Sequence, residues 1–468
     1  MGTTGLGNDV LSIYSAVRNN TGSYTLATGA GTDSLTLSIA QSFSWNAGPD
    51  YDSLKIVGDL DLSAKVISLT SVDEIYLDAG TSTGARTVTI NPTTFASNNV
   101  FNLRGNTTGA DVLVVQGTAA AETINANQVA VDPNYASLQL NGGAGNDIIT
   151  GSAWADTING GSGNDLLSGG YYGDTYIYNT GDVDAGETIV EPVSATETDT
   201  ISVVTSTNFT NMVASSFDEI EAITIASAQT ATFTGLQLTG EAIAFSGTAG
   251  GYETLTVNVG VGEQFTSNLT NAAGDINLVQ YLGSTGDETI AGGAMAEVIT
   301  GGSGNDVLSG GAGVDTFMFS TYSTNGLDRL TLSATTSVLN VTTIDDKLNF
   351  SSDLFINDGT TQIGRITESS ITGVISSDSL NDNVLILQQA YFADAAALVL
   401  ATTTFDTIAP ADGNVLIIYA SSSTTDARIA FAKVTNAGDI VEATDVAVLV
   451  GLTVGNAYSY FANSNFVL

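Results

Sequence analysis

The chain has 468 residues, 49 acidic against 10 basic, for a formal net charge of −39. Phosphate contacts need Lys and Arg, so nucleic acid is excluded as a partner and anionic membrane surfaces are disfavoured. Cysteine and histidine are both absent, which excludes disulfide staples, imidazole–zinc sites and His-dependent triads together.

Hydrophobic residues make up 43% of the chain, enough for real cores in two or three domains rather than a disordered acidic polymer. In chain order, the N-terminal MGTTGLGNDVLSIYS has no basic start, apolar centre or cleavage site, so no Sec-type signal is expected there. Residues 4–12, TGLGNDVLS, form one glycine-rich acidic step with Asp9 sixth; the next nine, IYSAVRNNT, lose the pattern. Period-two strands follow, as in Ser34-Leu-Thr-Leu-Ser-Ile, Asp52-Ser-Leu-Lys-Ile and Asp111-Val-Leu-Val-Val. From Gly142 the chain reads GGAGNDIIT, GSAWADTIN, GGSGNDLLS, GGYYGDTYI. From Gly283 it reads GSTGDETIA, GGAMAEVIT, GGSGNDVLS, GGAGVDTFM. Each step is nine residues long and its sixth position is Asp or Glu.

A longer repeat frames these blocks. Asp52-Ser-Leu-Lys-Ile, Asp199-Thr-Ile-Ser-Val and Asp346-Lys-Leu-Asn-Phe share the pattern Asp-x-apolar-x-apolar and stand 147 residues apart. Val72-Asp-Glu-Ile recurs as Phe217-Asp-Glu-Ile, and Thr87-Val-Thr-Ile as Thr230-Ala-Thr-Phe. Three units are expected: 1–141 with a degenerate first step, 142–282 with a nonapeptide block over 142–177, and 283–468 with a block over 283–318. The expected fold class is all-β, with parallel β-rolls alternating with strand-rich segments that close as solenoid, sandwich or both. One helix is expected, over 392–403, where Ala and Leu replace β-branched residues. No apolar run reaches membrane-spanning length.

The residue types explain the step. Glycine supplies the positive-φ corners of a tight turn. Carbonyls turned inward, with the position-six carboxylate, form an oxygen cage of the kind Ca²⁺ prefers. Position eight carries the side chain that fills the roll: Ile149, Ile158, Leu167, Tyr176, Ile290, Ile299, Leu308 and Phe317. Two steps make one coil, so turns on one edge are 18 residues apart. The metal-ligating pairs expected are Asp147 with Asp165, Asp156 with Asp174, Glu288 with Asp306, and Glu297 with Asp315, each pair sharing an ion. The first keeps every glycine; Trp154, Tyr172 and Met295 replace glycine on the other edge. The alternative is that these acids only cap Asn/Gly-rich turns.

These steps resemble the repeats-in-toxin (RTX) family, consensus GGxGxDxUx, over residues 142–177 and 283–318. The resemblance implies calcium as cofactor, a parallel β-roll, and bacterial type I secretion through an uncleaved C-terminal signal. The tail, Ala457-Tyr-Ser-Tyr-Phe-Ala-Asn-Ser-Asn-Phe-Val-Leu468, resembles such a signal. With blocks set between repeated β segments and no catalytic domain evident, the chain is similar to surface-layer and other bacterial surface proteins. The expected function is therefore an extracellular, calcium-folded structural subunit, not an enzyme, that partners itself in a lattice or filament and sits at the cell surface. The alternatives are an adhesin binding cell-surface polysaccharide, with aromatics such as Trp45, Tyr171 and Tyr172 stacking sugars, and a β-helix carbohydrate enzyme working through paired carboxylates. Tyr171 and Tyr172 could instead pack the last turn of the roll.

Overall fold

In the computed structural model the described residues are 2–3, 5–13, 24–78, 84–97, 100–106, 111–193, 196–271, 276–319, 327–332, 334–336, 342–344, 346–350, 363–366, 373–376, 384–392, 394–397, 402–406, 413–421, 426–434, 440–450 and 466–467. They form two compact units, Met1–Ala231 with Ala244–Gly247, and Thr232–Ile243 with Thr248–Leu468.

Strand alternation builds the first unit. In Ser34–Leu37 the two leucines are buried and Ser34 and Thr36 face outward, as period-two side-chain alternation requires. One face buried and one face hydroxylated is a strand that stacks on a copy of itself, and the chain does this coil by coil. Val10–Ile13, Ser34–Leu37, Ser53–Val57 and Glu74–Asp78 pair in parallel, in chain order. A facing row contains Tyr24–Ala27, Phe43–Asn46 and Ile67–Thr70. Further on, Thr87–Ile90, Asp111–Gln116, Ala136–Ala144, Asp156–Ser162, Thr175–Tyr178, Thr200–Val203 and Ala222–Ile225 form one parallel sheet. Thr123–Asn125, Ile148–Thr150, Leu166–Ser168 and Thr188–Ile189 form another. This is a parallel β-solenoid whose nonapeptides alternate between two sheets.

The second unit repeats the arrangement. Glu253–Asn258, Ile276–Leu282, Glu297–Thr300, Thr316–Phe319 and Lys347–Phe350 stack in parallel. Gln264–Thr266, Thr289–Ala291, Val307–Ser309 and Asp328–Thr331 form the companion sheet. The three segments beginning Asp-x-apolar-x-apolar all prove to be parallel strands of this kind. The solenoid pattern then changes: Gly413–Ser421, Ala427–Val434 and Ile440–Leu449 are antiparallel, and the last joins Asp328–Thr331. Within that sheet Arg428 Nη1 lies 2.6 Å from Asp445 Oδ2, and Tyr419 Oη donates to Asp445 Oδ1.

All eight position-eight side chains are in the core, none more than 2% exposed. Burial of each is worth about 1.5–3 kcal/mol. Three details differ from the sequence reading. Trp45 is not a surface aromatic: it is buried, and its Nε1 donates to Thr28 Oγ1 at 3.3 Å. Helix is not confined to the C-terminal third, since Pro92–Ser97 and Gly235–Leu238 are short helices; in each, the residue before or at the start supplies a cap, Asn91 Oδ1 on Thr94 and Thr234 Oγ1 on Gln237. Of the segment expected as helix, 392–403, residues 395–397 are helical while 392 and 402–403 belong to strands Val384–Phe392 and Thr402–Asp406; residues 393 and 398–401 lie outside the described residues. The secretion-signal segment, 457–468, lies outside the described residues except 466–467.

Candidate metal centre

A nonapeptide turn here is six residues of tightly bent backbone followed by a short strand. The bend visits positive φ at its second and fourth positions: Gly143 at 107° and Gly145 at 106°, then Gly161 at 91° and Gly163 at 134° one coil later. These turns stack closely. A Cβ on Gly161 would sit 1.9 Å from the carbonyl oxygen of Gly143, so glycine is required there twice over.

The structure brings each sequence-paired set of acids together through the backbone. Asp147 N–H donates to Asp165 Oδ1 at 2.7 Å, Asp156 to Asp174 at 2.7 Å, Glu288 to Asp306 at 2.8 Å, and Glu297 to Asp315 at 2.9 Å. Each of these contacts runs from a backbone amide to the carboxylate one coil on. All eight are buried, none more than 3% exposed. In seven of them the other carboxylate oxygen is sealed from solvent with no protein partner: Asp147 Oδ2, Asp156 Oδ1, Asp165 Oδ2, Asp174 Oδ2, Glu297 Oε2, Asp306 Oδ2 and Asp315 Oδ2. The exception is Glu288. Its longer side chain accepts from Ser284 N and Oγ and Gly286 N of its own turn, and from Gly262 N of the preceding coil.

The unpartnered oxygens point into their own turns. A Cβ on Gly142, Gly160, Gly169, Gly301 or Gly310 would lie 2.0–2.3 Å from the Oδ2 of the acid five residues on. A buried charged oxygen without a partner is costly, and a hard cation is the partner its chemistry suits. Among the described residues no three acidic side chains converge on one point. A calcium ion at these turns would therefore be held by one or two carboxylates with turn carbonyls, an all-oxygen donor set that fits it.

Burial dominates the electrostatics. It raises Asp147 and Asp306 to about 6, Asp156 to about 7, and Asp174 to about 9; Asp165 and Asp315 are also raised. Glu297 rises to about 9, from burial and then the adjoining Asp315. Without a cation Asp174 and Glu297 keep their protons at neutral pH, and the others are harder to ionise than an exposed carboxylate.

The same rung recurs where the nine-residue pattern is lost. Glu122 N donates to Asp147 Oδ1, Asp165 N to Glu187 Oε2, Asp174 N to Asp199 Oδ1, and Asp199 N to Glu221 Oε2. In the second unit Asp306 N donates to Asp328 Oδ1 and Asp315 N to Asp346 Oδ1. Each block is thus part of a longer acid ladder. Glu187 and Asp328, both buried, rise to about 8 for the same reason. The sequence signal was present at Asp199 and Asp346, each one residue ahead of an alternating strand.

On the edge where aromatics replace glycine, Trp154 and Tyr172 stack at 5.0 Å with a 14° interplanar angle. Tyr172 takes φ 66°, and its N–H donates to Glu197. Tyr171 and Tyr172 are exposed rather than packed inside the roll.

No curated protein matches the chain. The family model of the RTX calcium-binding nonapeptide repeat (4 copies) matches residues 140–170 and 282–317. These segments hold seven of the eight paired acids, Asp174 lying just beyond the first, and calcium is the ion that repeat binds. The glycine spacing, the buried carboxylates aimed into their turns and the family match agree that these two segments are RTX-type calcium-binding repeats.

Proposed function

We propose that the protein is a secreted structural protein that leaves the cell calcium-free, folds as calcium fills its turns, and assembles with copies of itself into a surface layer or a related sheet or filament. The observation that carries the calcium-dependent part is the row of buried carboxylate oxygens without a protein partner. Where free calcium is scarce they oppose folding; where it is abundant they are satisfied. Extracellular calcium modules bind with Kd of about 10⁻⁴–10⁻³ M, which suits a chain kept loose before export.

Assembly is supported by exposed apolar side chains in register on successive coils, Ile148 beside Leu166, with Val307 on the corresponding strand of the second block. Rows of this kind suit sheet-like contact between copies. The chain also offers no histidine or cysteine for catalysis, and the ladder acids have a structural role. The test is to add calcium to purified monomer and follow assembly by electron microscopy. Ordered sheets or filaments are expected; protein that folds with calcium yet stays monomeric would overturn the assembly reading.

A second reading, a carbohydrate-binding exoprotein, is favoured by one observation. The Trp154–Tyr172 stack, with Tyr171 beside it, presents an aromatic surface of the kind that sugars stack on. A glycan array probed with monomer, and with Trp154→Ala, separates the two readings.

A further inference from the structure

The N-terminal coils reproduce the calcium turn bond for bond, outside both matched segments. In the first block, the turn at Gly160–Asp165 stacks on that at Gly142–Asp147 through three contacts. Asp147 N donates to Asp165 Oδ1 at 2.7 Å, Asn164 N to Asn146 Oδ1 at 3.1 Å, and Gly145 N to Ser162 O at 2.8 Å. In the N-terminal coils, Asp9 N donates to Asp33 Oδ1 at 2.8 Å, Thr32 N to Asn8 Oδ1 at 3.0 Å, and Gly7 N to Ala30 O at 2.8 Å. The same positions of the turn are involved in every case. Backbone conformation follows: Gly7 and Gly31 have φ 130° and 123°, and Gly29 and Gly48 have 96° and 108°. The next coil continues the ladder, with Asp33 N donating to Asp52 Oδ1 at 2.8 Å and Asp52 N to Asp73 Oδ2 at 2.8 Å.

The second oxygens decide the chemistry. Asp33 is 1% exposed and Asp52 is fully buried, and the Oδ2 of each is sealed from solvent with no partner. Asp9 Oδ2 is in the same condition. Among the described residues Lys55 pairs with Asp78, Arg86 with Asp59 and Arg104 with Glu74, none of them with Asp9, Asp33 or Asp52. The coils approach one another as closely as in the blocks, since a Cβ on Gly48 would lie 1.8 Å from Gly29 O and one on Gly31 2.5 Å from Gly7 O. We propose that the turns carrying Asp9, Asp33 and Asp52 form a third calcium-binding stack, separate from the two nonapeptide blocks. Charge also favours it, because three stacked carboxylates without a cation would repel one another.

The proposal rests on the reading that the two blocks bind calcium, and the test separates the two. Asn at positions 33 and 52 keeps an Oδ1 to accept the amide above it and replaces the unpartnered oxygen with an NH₂ that cannot ligate a cation. Calorimetric titration with Ca²⁺, with Mg²⁺ as control, is run on the full chain, on Asp33→Asn/Asp52→Asn and on Asp147→Asn/Asp165→Asn. Loss of at least one calcium per chain from the N-terminal double variant, with binding by the blocks retained, is the expected result. Unchanged stoichiometry and affinity in that variant would overturn the third stack while leaving the blocks intact; no calcium binding by the parent chain would overturn both readings. A second measurement covers a variant that folds poorly. Trp45 is bonded to Thr28, the first residue of the Asp33 turn, and is one of two tryptophans. In a Trp154→Phe background, terbium emission excited through tryptophan is expected from the parent and lost in the single variant Asp52→Asn. Absence of emission from the parent, or emission unaffected by Asp52→Asn, would count against the site.

Discussion

At the scale of single residues, two kinds of position carry the roll. Glycines at positive φ let coils approach. Gly161→Ala would place a methyl group 1.9 Å from a backbone oxygen as well as straining φ, and a cost of at least about 2 kcal/mol is expected in urea melts with calcium present. Gly58→Ala is the control, because its φ is 84° but nothing lies within 4 Å of the added carbon, so only conformational strain of about 1 kcal/mol is expected. A cost for Gly161→Ala no larger than the control's would refute the packing argument. Carboxylates are the second kind. Asp165→Asn keeps the rung to Asp147 N–H but removes a buried charge. In chelator the variant should be as stable as the parent or more so. In calcium it should lack one site's contribution, about 2.7 kcal/mol at 100 times Kd. A variant that gained as much from calcium as the parent would show that Asp165 is not a ligand. The four 18-residue pairs were legible because the coils between them carry no insertions. Asp33, Asp52, Asp199 and Asp346 make the same kind of rung at separations of 19 to 31 residues. Loops inside those coils erase the period, and only the acid ahead of an alternating strand survives to mark them.

At the scale of the element, a nonapeptide block is a stack of buried acids with raised pKa values, and this fixes its pH response. Folded values of about 6 for Asp147, 7 for Asp156 and 9 for Asp174 lie above the ordinary carboxylate value near 4. Between those limits the folded state binds more protons than the unfolded one, so stability falls as pH rises. Calcium-free protein should therefore melt at a higher temperature at pH 5 than at pH 8. With saturating calcium the order should invert, because the ion needs the deprotonated form. Parallel melts in chelator and in calcium check this, and the same pH trend in both would contradict a metal role for the ladder. Strand identity and the inward face of each step were plain in the sequence, since Val, Ile, Leu and Thr alternate with period two. How the strand-rich segments close was not. Parallel stacking of coils and antiparallel pairing of the last three long strands are both compatible with such alternation, and the partner of each strand is set by coil length rather than by its own residues.

At the scale of the whole molecule, calcium occupancy at several turns competes with a total margin of roughly 5–15 kcal/mol for a typical domain. Chelation should expose the blocks at 142–177 and 283–318 to proteolysis. Trypsin cannot report it, because no Lys or Arg falls between Arg104 and Arg329; chymotrypsin can, at Tyr171, Tyr172, Tyr176 and Phe317. Rapid cleavage there in chelator, suppressed by calcium, is the expected pattern, and equal resistance in both conditions would contradict it. The ladder also has a sense of travel. Among the described residues, in every rung between stacked acids the accepting carboxylate comes later in the chain than the amide it holds. A polypeptide that emerges tail foremost would offer seated, charged templates to each arriving coil, whereas one emerging head foremost would present bare amides to acids still to come. In a roll built on rungs of one direction, the end that reaches calcium first would decide whether each rung closes on arrival or waits for a later coil.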